Sequence, residues 1–382
     1  MKEYRRAIEN IIKSSLFEKG MLTIIYGPRQ VGKTTLAKRI LKEYKSEKGY
    51  FNCELQSVAD IFAAGNPESM RDEFGGHKVI VFDEAQTIPD IGRKLKLFID
   101  TYPKTAIIAT GSSSFELANK INEPLTGRHY EYFLSPLSTE EMLNEQTKIA
   151  VKDDLNTRLI YGNYPAVYNA KNNSVARQKL ELLATSYLYR DVLRFGAVLK
   201  SEVLMNILKA LAHQAGGEVS YNEIAGLVGI DRKTVLNYIG LLEQAFIIFR
   251  LTPYTNRKRD EIKKLRKVYF YDNGILNALT NNFTSVGSGR DLGGLWENYM
   301  VSERVKFQKN HLLYRQNYYW RKRSGAEVDF IEEYDGKLVP FEFKYNKSGV
   351  SKGAAIFTEE YAAQSAAAVR VINKDNFLGF VS

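Results

Sequence analysis

Lys33 and Thr34 are the first residues able to do chemistry, closing the glycine-bearing run IIYGPRQVGKTTL from Ile24 to Leu36. The run fits G-x-x-x-x-G-K-[ST], and its flanks fit the motif's mechanics. Leu22 to Tyr26 is a short apolar stretch that predicts a buried strand, and Thr34 to Tyr44 predicts a helix. A turn from Gly27 through Pro28, Arg29, Gln30, Val31, Gly32, Lys33, Thr34 and Thr35 would then surround phosphate oxygens with backbone N–H groups at a helix N-terminus. Lys33 would bring a mobile charge to the β- and γ-phosphates, and the Thr34 hydroxyl would be a magnesium ligand.

A partner for that cradle lies some way downstream in Lys78 to Gln86, where four apolar residues run into Asp83 and Glu84. Such a run predicts a central parallel strand ending at the ligand edge of a sheet. Asp83 would join the magnesium shell, while Glu84 is placed to polarise a water molecule, which favours hydrolysis over binding alone. A further strand, Ala106 to Thr110, leads into Gly111-Ser112-Ser113-Ser114, and Ser112 is the candidate γ-phosphate sensor, with helix capping as the alternative use of the serines. Arg128, after Gly127 and before the expected strand Tyr130 to Leu134, is the candidate arginine finger, acting in cis or from a neighbouring subunit.

GPRQVGKTT, VIVFDEAQ, ATGSSS and LTGRHYEYFLSPLSTEEM, followed by YGNYPAVY and YLYRDVLRFG, resemble the AAA+ superfamily ATPases of bacteria and archaea whose C-terminal part is a domain of unknown function of the DUF4143 type. The resemblance covers nearly the whole chain. It implies ATP and Mg2+ as cofactors and a P-loop ATPase core. The family's Gly-Gly-x-Pro-like pattern is replaced here by Gly162-Asn163-Tyr164-Pro165, and asparagine tolerates left-handed backbone angles well enough to keep the turn.

Two constellations follow. SYNEIAGLVGIDRKTVLNYIGLLEQAFII reads as helix, glycine turn, helix, with Ser220 and Asp231 as N-caps, Ala225 and Leu227 or Val228 inward on the first helix, and Val235, Ile239 and Leu242 inward on the second. This predicts a winged helix-turn-helix, with Arg232 and Lys233 outward. The basic run from Arg257 to Lys267, net +5, supplies the wing, with Lys263, Lys264 and Lys267 as nucleic-acid contacts. Farther on, Asp329, then Glu342 thirteen residues later and Lys344 two beyond it, have the spacing of a PD-(D/E)xK nuclease-like core, with Glu297 as the helix acid. Asp329 and Glu342 would bind magnesium, Glu297 would complete the shell, and Lys344 would orient the attacking water.

The elements that must position these residues form three units: an α/β P-loop parallel sheet with a helical lid (core 1–140, lid 141–200), a winged helix-turn-helix (201–270), and an α/β restriction-endonuclease-like domain (271–382). At 382 residues and 44% hydrophobic, the chain is long enough for two or three cores. No stretch approaches a membrane span, and the charged N-terminus lacks the apolar core of a signal peptide. The single cysteine, Cys53, excludes an intrachain disulfide and suits a reducing cytoplasm. A net charge of +10 favours an anionic partner without identifying one. Nucleic acid, DNA over RNA, is the partner expected for the C-terminal modules. A homo-oligomer is among the expected states. The reading is an ATP-hydrolysing protein whose C-terminal modules engage nucleic acid. Its rivals are a slow nucleotide-switched regulator or scaffold with a degenerate nuclease fold, and a DNA-cutting enzyme licensed by the ATPase.

Overall fold

The computed structural model describes residues 2–111, 127–187, 200–255, 265–289 and 292–382, so Ser112, Lys263 and Lys264 lie outside the described residues. The chain divides into two compact units, one of residues 5–136 with 244–246, the other of residues 2–4, 137–243 and 247–382.

The first unit is built on strands β1 (Leu22–Tyr26), β2 (Tyr50–Asn52), β3 (Val79–Asp83), β4 (Ala106–Gly111) and β5 (His129–Phe133), all parallel in the order β2-β3-β4-β1-β5. Its described helices are α1 (Glu9–Ser15), α2 (Lys33–Glu43), α3 (Gln56–Ala64), α4 (Pro67–Phe74) and α5 (Ile91–Thr101). Every residue of β3 and β4 is buried, which is why these strands read as unbroken apolar runs rather than alternating ones. One core gathers Leu22 and Ile24, Phe62, Phe74, Phe82 and the Leu95, Phe98 and Ile99 side of α5. Because the strands are parallel, their C-terminal ends share one edge, where Gly27, Glu84 and Gly111 emerge.

In the second unit, described helices include α6 (Leu155–Tyr161), α7 (Ser201–His213), α8 (Tyr221–Val228), α9 (Arg232–Gln244), α10 (Asn273–Leu279), α11 (Gly293–Asn310) and α12 (Lys352–Glu360). Strands β6 (Glu218–Val219), β7 (Ile248–Pro253), β8 (Arg266–Phe270), β9 (Gln316–Arg321), β10 (Glu327–Tyr334), β11 (Lys337–Phe343) and β12 (Arg370–Ile372) form one sheet in the order β12-β11-β10-β9-β7-β8-β6. From α7 to β8 the order is helix, strand, helix, helix, strand, strand. Thr252 and Pro253 of β7 pair in parallel with Tyr318 and Tyr319 of β9, so the boundary expected at residue 270 falls inside a continuous sheet.

The lid expected at 141–200 is likewise welded into this unit. Asn273 and Asn277 donate amide hydrogens to the carbonyls at the end of α6, Asn277 to Ile160 at 2.7 Å. Gly162, at φ +71°, abuts Asp272 so closely that a Cβ there would stand 2.0 Å from its Oδ1, which only glycine permits. Asn163 is not left-handed, contrary to expectation; its backbone N–H donates to Asp272 Oδ2 at 2.6 Å and its side chain to Glu303 Oε1 at 3.1 Å. Asn163, within the expected lid, is thus held by buried carboxylates of its own unit.

Candidate functional site

The phosphate cradle is shaped by glycine. Gly27 leaves β1 at φ +150°, and a Cβ on it would lie 2.1 Å from the Leu134 carbonyl oxygen, so no side chain fits. Gly32, at φ +99°, caps the N-terminus of α2 without a side-chain bond, so no capping side chain stands at the helix start where an anion would sit. Pro28 and Val31 are buried, Arg29 is half-buried, and Gln30, at φ +60°, and Thr35 are exposed. Lys33 is buried and folds over its own loop, donating from Nζ to the carbonyls of Gly27 at 2.9 Å and Pro28 at 2.8 Å.

At the adjoining strand ends, buried Asp83 is a hub. Its Oδ2 accepts from the hydroxyls of Thr34 at 2.8 Å and Tyr50 at 2.7 Å, and its Oδ1 accepts from Thr110. The Thr110 hydroxyl in turn accepts the backbone N–H of Glu84 at 3.1 Å, which ties both acids to one threonine. Glu84 sits at φ +53°, half-buried, with its carboxylate on the Gln86 amide. Burial and then the Asp83 bond raise the Tyr50 phenol well above its ordinary value, so it stays a donor. Cys53, just past β2, is buried, which with the nearby Asp83 charge pushes its thiol up to about 12. The cradle and the donor set of Thr34 and Asp83 fit a nucleotide triphosphate with a hard divalent cation. Sequence reasoning missed Tyr50 and Thr110; Thr110 stood one strand-end from the serine cluster, whereas nothing local marks Tyr50.

Arg128 requires a correction. It precedes β5 at the sheet edge opposite the cradle, its carbonyl accepting from the N–H of Leu22 at the start of β1, while the cradle follows the end of β1. Five strand residues, about 16 Å, separate those levels. Its exposed guanidinium pairs with Asp100. A role in cis is therefore ruled out by the parallel register.

On α9, Arg232, Lys233 and Asn237 are exposed while Val235, Tyr238, Ile239 and Leu242 are buried, as the helical spacing required. Asp231 caps α9 through the Thr234 N–H at 3.0 Å. On α8 the buried residues are Ile224 and Ala225; of the two alternatives for the next inward position, Leu227 is 69% exposed and Val228 is half-buried.

Lys267 also departs from expectation. It is 2% exposed, pointing inward from β8, and its ammonium pairs with Glu297 Oε1 at 2.9 Å and Glu327 Oε1 at 2.5 Å. Burial alone would lower its pKa, but Glu297, Glu327 and Asp329 outweigh that and raise it, so it is a fixed cation and not a phosphate contact. Glu297 further accepts from the Tyr269 hydroxyl at 2.7 Å. Asp329 accepts the Phe343 N–H at 2.8 Å, and desolvation followed by the Glu297 charge pushes its carboxyl up to about 7. Glu342 is turned to the N-terminus of α12, accepting the Ser351 N–H at 3.1 Å, with Lys344 Nζ 3.6 Å from its Oε2. Among the described residues no group of three or more His, Cys, Asp or Glu is arranged to hold a metal, so the expected magnesium shell of Glu297, Asp329 and Glu342 is not assembled. Also among the described residues, no helix is long and apolar enough to cross a membrane.

Comparison with known proteins finds three successive matches along the chain. Residues 19–143 match the model of the AAA domain, residues 152–286 a domain of unknown function (DUF8612), and residues 292–380 another (DUF4143). An uncharacterized protein of Mycobacterium tuberculosis is 26% identical over 326 residues, covering 85% of this chain and 70% of that one. One from Methanocaldococcus jannaschii is 25% identical over 385 residues, covering 88% and 80%. Among solved structures, the chain is similar to AMPPCP-bound DnaA from Aquifex aeolicus with a TM-score of 0.29 and 18% identity, over 61% of this chain and 86% of that one. The glycine cradle and its paired acids, at the end of a five-stranded parallel sheet, thus lie in an AAA domain, and a DUF4143 domain follows it toward the C-terminus.

Proposed function

We propose that this protein binds and hydrolyses ATP. The observation that carries the reading is the linkage of Thr34 to Asp83, and of Asp83 to Glu84 through Thr110, beside a cradle that only glycine can form. Magnesium, when bound with the nucleotide, supplies neutralisation of charge on the β- and γ-phosphates; Thr34 and Asp83 are the residues that would hold it. The chain's own groups do the rest. Lys33 exchanges two loop carbonyls for phosphate oxygens, the amides at the start of α2 orient the phosphates, and Glu84 orients the attacking water through its carboxylate. Substituting Glu84 by Gln should stop turnover and leave ATP binding in place, which phosphate release measured beside equilibrium ATP binding tests.

The helix order from α7 to β8 supports a winged helix-turn-helix, and exposed Arg232 and Lys233 on α9 fit phosphate contact, DNA being the preferred partner. The C-terminal sheet supports a nuclease-like fold acting as a recognition platform and not as a nuclease, because Lys267 pairs with Glu297 while Glu342 is turned to the Ser351 N–H and Asp329 to the Phe343 N–H. Self-association, with Arg128 reaching a neighbour's phosphates, is the arrangement in which that arginine could serve hydrolysis.

A further inference from the structure

Two side chains from outside the glycine loop brace it, Arg6 by bonding to the loop and Phe246 by packing on the residues that flank it. Arg6, in the segment ahead of α1, is 5% exposed and donates from one guanidinium nitrogen to the Val31 carbonyl at 2.7 Å and from the other to the Ser135 carbonyl at 2.7 Å. Val31 lies within the cradle, and Ser135 follows Leu134, whose carbonyl closes on Gly27. Phe246 packs its ring 5.5 Å from that of Tyr26 and 4.9 Å from that of Phe133. Tyr26 and Phe133 are register partners on β1 and β5, and they immediately precede Gly27 and Leu134, the two sides of the loop's closest backbone approach. Phe246 itself is held at φ +56°, a conformation that a bulky residue adopts only when its surroundings fix it.

We propose that Arg6 and Phe246 are positioning residues for nucleotide binding, holding the cradle in its phosphate-accepting shape before the ligand arrives. The inference rests on the ATP reading of that cradle. The physical reason for Arg6 is the geometry of one peptide. No described peptide bond is cis, so the carbonyl of Val31 and the N–H of Gly32 lie in one plane and point in opposite directions. Tying that carbonyl to a buried guanidinium fixes which way the Gly32 amide faces, and turning the carbonyl inward would present negative charge to an anion. The same guanidinium, bonded to Ser135, sets the distance between the loop and the strand end beside it. A Cβ on Gly32 would be 3.9 Å from an Arg6 nitrogen, which puts its charge directly behind the helix N-terminus. Phe246 acts by volume, keeping Tyr26 and Phe133 together and with them the approach of Leu134 to Gly27.

The test is equilibrium binding of a fluorescent ATP analogue to the full chain. Arg6→Ala should weaken binding about 10- to 100-fold, the scale of losing two buried charge-assisted hydrogen bonds. Arg6→Lys, which can keep one of them, should fall between. Free guanidinium ion at non-denaturing concentration should restore part of the affinity of Arg6→Ala and none of that lost in Lys33→Ala. Phe246→Ala should weaken binding, while Phe246→Leu, retaining apolar volume, should recover most of it. Native-like affinity in Arg6→Ala and Phe246→Ala would overturn the proposal, as would a loss in Arg6→Ala that guanidinium does not reverse, or equal reversal in Lys33→Ala. If Arg6→Ala fails to fold, undiminished binding by Arg6→Lys, which loses one of the two bonds, overturns it instead. A native chain that binds no ATP analogue would sink the nucleotide reading itself, a distinct result.

Discussion

Thr110 at the end of β4 donates its hydroxyl to Asp83 on the neighbouring strand while accepting the backbone N–H of Glu84, so one threonine sets the direction of both acids. Removing that hydroxyl leaves the strands intact, and Asp83 keeps Thr34 and Tyr50, but the tie between the two acids is lost. Thr110→Val should therefore lower ATP turnover by about 10- to 100-fold with little change in nucleotide affinity, since Lys33 and the cradle are untouched. Steady-state turnover measured beside equilibrium binding separates the two. Equal losses in both would mean that Thr110 supports the fold alone.

Much of the first unit was legible because a parallel strand buried on both faces reads as an apolar run, and Leu22–Tyr26, Val79–Asp83 and Ala106–Gly111 do so. What sequence could not supply was which end of a strand a residue occupies in space. Arg128 follows a glycine and precedes a strand, as a finger would, yet parallel pairing with β1 carries it to the far edge. Lys267 closes a basic run, but β8 turns it inward and only long-range pairing brings Glu297 and Glu327 to meet it. Tyr50 and Arg6 carry no local signal because their partners are 33 and 25 residues away.

Lys267 offers a stability test. Lys267→Met keeps most of the volume and removes the charge, leaving Glu297, Glu327 and Asp329 facing one another with no ammonium. A loss of about 3–5 kcal/mol is expected, the scale of breaking a buried pair from one side. Chemical denaturation of the full chain would measure it, with the transition of the second unit moving first. A change below about 1 kcal/mol would mean that solvent already screens the cluster.

Asp329 gives the same cluster a pH dependence. Its carboxyl, ordinarily near 3.8, is pushed up to about 7 by desolvation and the Glu297 charge. The folded state then binds more protons than the unfolded state between those values, so stability should fall as pH rises from about 4 to about 7 and level off above. Asp329→Asn should flatten that part of the profile. Unfolding midpoints across this range would check it, and a slope unchanged by the substitution would place its origin elsewhere.

Exposed Arg232 and Lys233 test the helix-turn-helix. If both touch phosphates, changing them together to Ala should reduce the slope of log affinity against log salt by up to about 2, near 0.9 for each phosphate no longer neutralised, and weaken binding evenly across DNA sequences. Lys267→Met should leave that slope alone. A slope unaffected by Arg232 and Lys233 would remove α9 from the interface.

The most direct measurement is ATP turnover and ATP affinity of the full chain with magnesium, for the native protein, Lys33→Ala and Glu84→Gln. Native protein should release phosphate, Lys33→Ala should lose affinity and turnover together, and Glu84→Gln should bind ATP as the native chain does while turnover falls by at least about 100-fold. Undiminished turnover in Glu84→Gln, or undiminished affinity in Lys33→Ala, would contradict the account.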